Sequence, residues 1–169
     1  KVFGEVLRLK QSELNSNERI KVFPLFNENA TKSNILQTVK TFAGVDGISS
    51  PSFFQELPEK VQPEDTVIIY FSGHGISLEN RFYIIPYDLG YMGKRRDLFK
   101  FETELKVLTG NSVSDIELEE AFRGVDAKNL LLIIDACNSG QALEAEEKRQ
   151  GPMNSKGLAQ LAYEKGMYI

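Results

Sequence analysis

Two apolar runs, Thr66-Val67-Ile68-Ile69-Tyr70-Phe71 and Leu130-Leu131-Leu132-Ile133-Ile134, pass without any polar alternation. A strand with one wet face alternates apolar and polar residues. A run without alternation reads as a strand buried on both faces, the habit of parallel sheets covered by helices. Each run ends in a compact set of small and polar residues. The first gives Ser72-Gly73-His74-Gly75 and the second Asp135-Ala136-Cys137-Asn138-Ser139-Gly140. In open parallel sheets ligands bind beyond the carboxyl ends of the strands. The two runs therefore point both to an architecture and to the edge where its chemistry belongs.

The remaining pattern fits around them. Residues 20–26 have strand composition, with Pro24 limiting them to an edge or a strand end. A helix is predicted over 31–43, capped by Thr31, with Ile35, Leu36, Val39, Phe42 and Ala43 on one face and Gly44 as its stop. Residues 44–64 read as a loop with a short helix begun by Ser50-Pro51. Residues 81–86 form a third strand candidate, and 87–111 a polar stretch. A helix starts at Ser114 with Glu117 completing a capping box, its apolar contacts being Ile116, Leu118, Ala121, Phe122 and Val125. A last helix is predicted over 155–165. The alternation β–α–β–(β)–α–β–α–(β) predicts an α/β/α sandwich with a mostly parallel central sheet.

At 169 residues the chain has the size of one domain, and 41% apolar residues, with 11 Phe and 6 Tyr, are enough for a sizeable core. It starts at Lys1 and stops within Met167-Tyr168-Ile169, so it reads as a single domain, 1–169, cut from a longer polypeptide. A net charge of −4 argues against a nucleic-acid binder, which carries a basic face. No apolar run approaches the roughly 20 residues of a membrane span, and no signal peptide opens the chain; the expected location is cytoplasmic. One cysteine excludes an internal disulfide framework, and one histidine argues against a zinc site, so no metal is expected.

That single thiol and single imidazole, Cys137 and His74, follow the two central strands. A lone cysteine is most often a small buried hydrophobe, and a lone histidine most often a hydrogen-bonded structural residue. Here both stand at strand ends before glycine-containing loops, which favours chemistry. A thiol with a pKa of about 8.5 is only a few per cent ionised at pH 7. A neighbouring imidazole can take the proton and leave a competent nucleophile. Gly73 and Gly75 leave room for a substrate backbone, and the N–H groups of Gly75 and Cys137 could hold a developing oxyanion.

The pair of motifs, Ser-Gly-His-Gly after one buried strand and Asp-Ala-Cys-x-Ser-Gly after the next, resembles the caspase-like cysteine peptidases of clan CD. Asp135 replaces the Gln of the animal caspase signature, so the resemblance is closest to metacaspases and bacterial orthocaspases. Residues 81–88 are similar to the strand and Pro-x-Asp turn that follow the His motif in bacterial members, and 156–162 resemble their next helix. The resemblance implies a caspase-like fold lacking here its first and last strands. It implies that His74 is the general base or acid, Cys137 the nucleophile, and Gly75 and Cys137 the oxyanion donors. Asp135 matches the position that lines the pocket for the residue before the scissile bond. A carboxylate there favours Arg or Lys. Its alternative is a strand-end cap or loop hydrogen bond.

The chain departs from that pattern in places. A second acidic pocket residue of metacaspases comes from the part preceding residue 20, and Asn138 stands where metacaspases often have His. Lys94-Arg95-Arg96 reads as a solvated basic cluster, with a docking surface as the minor reading. The charged segment 144–154 lies where caspase-like enzymes carry a processing linker, and basic specificity points to self-cleavage after Lys148 or Arg149, against an uncut surface loop. Some metacaspases respond to calcium, yet no EF-hand spacing exists here and no cofactor is expected. The expected partners are a protein or peptide substrate, the chain's own linker, and further domains or subunits of a parent protein. The expected activity is an endopeptidase cleaving after basic residues. Two alternatives stand beside it: an inactive caspase-like regulatory module, and a separase-like or gingipain-like peptidase of other specificity.

Overall fold

The computed structural model describes residues 19–48, 51–54, 58–78, 81–93, 102–138 and 163. In chain order the elements are α1 (Lys32–Phe42), β1 (Thr66–Leu78), β2 (Arg81–Ile85), α2 (Glu102–Asn111), β3 (Val113–Ser114), α3 (Asp115–Phe122) and β4 (Asn129–Asn138). The four strands make one sheet in the order β3-β2-β1-β4. The central pair, β1 with β4, is parallel. β1 and β2 form an antiparallel hairpin, and β2 pairs antiparallel with β3. Among the described residues the sheet is therefore mixed, with its parallel pairing in the two strands that the apolar runs mark.

Helices pack on both faces. Phe82 and Ile84 of β2 join Val67, Leu130 and Leu132 in one core cluster with Val39 of α1 and Leu118, Ala121 and Phe122 of α3. The residues between them on β2, Tyr83 and Ile85, pack instead with Ile76 and with Leu108 of α2. Alternation along a strand sends successive side chains to opposite faces, so α1 and α3 lie on one side of the sheet and α2 on the other. The expected three layers are present. Among the described residues, no helix is long and apolar enough to cross a membrane.

Local signals account for most helix starts. Thr31 caps α1 by accepting from the Asn34 N–H at 3.1 Å, and Gly44 follows the helix at φ 69°. Ser114 caps α3 in a reciprocal box with Glu117. Several expectations need correction. Residues 20–26 are not a strand of the sheet; they run without regular structure into a 3-10 turn at Asn27–Asn29, where Asn27 sits at φ 49°. Pro24 withholds one ladder donor, and Phe23 instead anchors the segment, its ring centroid 5.6 Å from those of Phe42 and Phe54. The polar stretch 87–111 hides α2, which buries only Leu108 fully and so shows little helical periodicity. In α3 the inward neighbour of the box is Asp115, fully buried, whereas Ile116 is 45% exposed. Of the predicted helix at 155–165 only Tyr163 is among the described residues, and it is helical; the segment 144–154 and the 94–96 cluster lie outside them.

Candidate active site

The strand β1 does not stop at Phe71, as its apolar run implies, but continues through Ser72-Gly73-His74-Gly75 to Leu78. The hairpin supplies the reason: His74 through Leu78 pair with Ile85 back to Arg81. The motif thus lies within a strand, with paired backbone on both sides. Gly75, expected near a strand end, is buried between Ile84 of β2 and Asn138 of β4. A side chain at that position would meet the Phe82 ring at 2.7 Å and the Ala136 Cβ at 3.0 Å. Glycine at 75 is therefore demanded by the core beneath it.

The parallel pair is in register over ten positions, from Thr66 with Asn129 to Gly75 with Asn138, and this register sets His74 opposite Cys137. The register is pinned far from the motif. The Lys128 N–H donates to the Asp65 carbonyl at 2.8 Å, and Asn129 Nδ2 donates to Thr66 Oγ1 at 3.1 Å. Above these contacts Val67, Ile69 and Phe71 of β1 and Leu130, Leu132 and Ile134 of β4 all pack into the same core. A slip by one residue would turn every one of them to the other face. Hydrophobic burial at the base of the strands thereby holds the two motif positions together at their far end.

The other face of β1 differs from the expectation of two-sided burial. Ile68 is 42% and Tyr70 44% exposed, and Ser72 and His74 are exposed as well. Asp135, opposite Ser72 and two residues before Cys137, is also exposed. Two hydroxyls reach its carboxylate: Tyr70 Oη donates to Oδ2 at 3.3 Å and Ser72 Oγ donates to Oδ2 at 3.4 Å. Tyr70 and Ser72 were hidden in the sequence inside an apolar run and a motif. The signal that finds them is the strand period counted back from His74, since positions 72 and 70 share its face.

Among the described residues no group of three or more His, Cys, Asp or Glu side chains comes together as a metal site requires. The segment carrying Lys148 and Arg149 lies outside the described residues. The turn after β2 is structural: Asp88 Oδ1 accepts from the Lys32 N–H at 2.8 Å, closing the start of α1, and the Tyr87 N–H donates to the Ala30 carbonyl at 2.9 Å.

The family model of the caspase domain, peptidase C14, matches residues 14–167. No curated protein matches the chain, and no solved structure does.

Proposed function

Since the chain belongs to the caspase domain family of clan CD cysteine peptidases, we propose that it is an endopeptidase of the metacaspase or orthocaspase type that cleaves after Arg or Lys. The observation that carries this reading is the β1–β4 register, which sets His74 opposite Cys137. Neighbouring strands run about 4.8 Å apart, a spacing across which an imidazole and a thiol can share a proton. His74 takes the Cys137 proton, and the thiolate sulfur attacks the scissile carbonyl carbon. The resemblance gives the oxyanion to the amides of Gly75 and Cys137; since Gly75 is buried within the sheet between β2 and β4, the Cys137 amide is the donor in this reading. Collapse breaks the C–N bond, and His74 returns the proton to the leaving amine. Water, deprotonated by His74, then hydrolyses the thioester and restores the thiol.

Specificity follows from distance and charge. Asp135 lies two residues before Cys137 on the same strand, about 6.6 Å at the usual rise per residue. That length matches an extended Lys or Arg side chain measured from the residue whose carbonyl meets the sulfur. An exposed carboxylate at the end of that reach pairs with an ammonium or a guanidinium. The same preference would direct self-cleavage after Lys148 or Arg149.

Fluorogenic peptides ending in Arg, Lys or Asp test the reading with the intact protein and its Cys137→Ala variant. Cleavage after Arg or Lys, absent from Cys137→Ala, is the expected result, and Asp135→Ala should raise the barrier for these substrates by about 1.5–3 kcal/mol, the worth of a hydrogen bond to a charged group. Cleavage after Asp alone would overturn the pocket assignment. No cleavage of any peptide would favour a regulatory module.

A further inference from the structure

The two hydroxyls that reach Asp135 converge on one oxygen. Tyr70 and Ser72 both donate to Oδ2, at 3.3 and 3.4 Å, and among the described residues neither donates to Oδ1. A carboxylate offers about four lone-pair sites, so these two bonds to Oδ2 leave acceptor capacity on the carboxylate for a cation. Tyr70 stands opposite Ile133, one pleat repeat deeper along the strands than the Ser72–Asp135 pair. Its phenol therefore approaches the carboxylate from the side remote from Cys137.

We propose that Tyr70 is a positioning residue of the basic-residue subsite, its hydroxyl fixing Oδ2 of Asp135 so that Oδ1 meets the incoming cation. This rests on the peptidase reading above. Both bonds are longer than a well-formed O–H···O contact of about 2.7–2.8 Å, and both lie on an exposed face where water competes. In the free protein they hold the carboxylate loosely. A docked side chain excludes that water, and a hydrogen bond shielded from water is stronger than the same bond in an open site. The contribution of this Tyr70–Asp135 contact therefore falls on substrate binding.

The test is Tyr70→Phe, which removes one oxygen and keeps the ring. For peptides ending in Arg or Lys, KM should rise about tenfold, the worth of one hydrogen bond to a charged group, with kcat within about twofold. Benzamidine, a small amidinium that needs no turnover, should bind the variant about tenfold more weakly by calorimetry. In an Asp135→Asn background the same substitution should have no effect on KM. If Asp135→Ala weakens basic substrates while Tyr70→Phe leaves KM and benzamidine affinity unchanged, the inference fails and the peptidase reading stands. An equal effect of Tyr70→Phe with and without the Asp135 carboxylate also overturns it. Absence of cleavage after basic residues removes the peptidase reading and this inference with it.

Discussion

Phe82 is 1% exposed and lies directly under Gly75, where an added Cβ would stand 2.7 and 2.9 Å from its ring and 3.0 Å from the Ala136 Cβ. Gly75→Ala should therefore cost about 1–3 kcal/mol by overpacking, seen as a drop of several degrees in a thermal melt; an unchanged melt would contradict the packing described. The opposite sign is expected at Ser112. Its side chain is fully buried, and its Oγ has no hydrogen-bond partner among the described residues. Ser112→Ala removes that hydroxyl and should stabilise the fold by about 1 kcal/mol, measurable as a raised denaturant midpoint. Neither effect was legible in the sequence. Ser-Gly-His-Gly reads as a motif for chemistry, and nothing in one dimension says that its second glycine answers to a phenylalanine seven residues later. His74 and Cys137 were legible because each is the single residue of its kind, at the end of an apolar run.

At the scale of elements, Lys32 ties three of them together. Its ammonium pairs with Glu117 at 2.7 Å and donates to the Ser112 carbonyl at 2.8 Å and the Gly110 carbonyl at 3.0 Å. The start of α1 is thus joined to the end of α2 and the start of α3, with all three ammonium donors used. Glu117 also accepts from the Ser114 N–H and hydroxyl, each at 2.9 Å. Partial burial pushes the Glu117 carboxyl upward, but the hydrogen bonds from Lys32 and Ser114 and the charge of Lys32 outweigh it. The net result lies below the ordinary value of 4.5. A carboxyl lowered in the folded state contributes stability that is complete above its unfolded value and disappears as pH falls through the folded one. The stability gap between the parent chain and Glu117→Gln should therefore be constant near neutrality and close progressively below about pH 4.5. A gap independent of pH in acid would contradict the ion pair. Ser114→Ala, which breaks the box, should cost about 0.5–2 kcal/mol by urea titration. The box itself was readable from Ser114 and Glu117. The α2 helix was not, since a helix that buries one leucine leaves almost no periodic trace.

Across the whole molecule, two unbroken apolar runs announced the central parallel pair, and the fold places them side by side as β1 and β4. What they could not announce was the hairpin. β2 pairs antiparallel with the far half of β1 and extends that strand through the motif, so the site rests on sheet rather than on a loop. Nor could they announce which face stays open, because Ile68 and Tyr70 read as core yet are 42% and 44% exposed on the side that carries His74 and Asp135. The consequence is an open face made of strand residues, its register held by buried contacts at the opposite end. The central claim is that this register makes one thiol and one imidazole a reactive pair. Because the chain has a single cysteine, the rate of alkylation by iodoacetamide as a function of pH reports Cys137 alone. The rate is predicted to reach half its plateau well below the ordinary thiol value of about 8.5, and His74→Ala should move that midpoint back toward it. One profile for both proteins, centred near 8.5, or a thiol that does not react, would contradict the account.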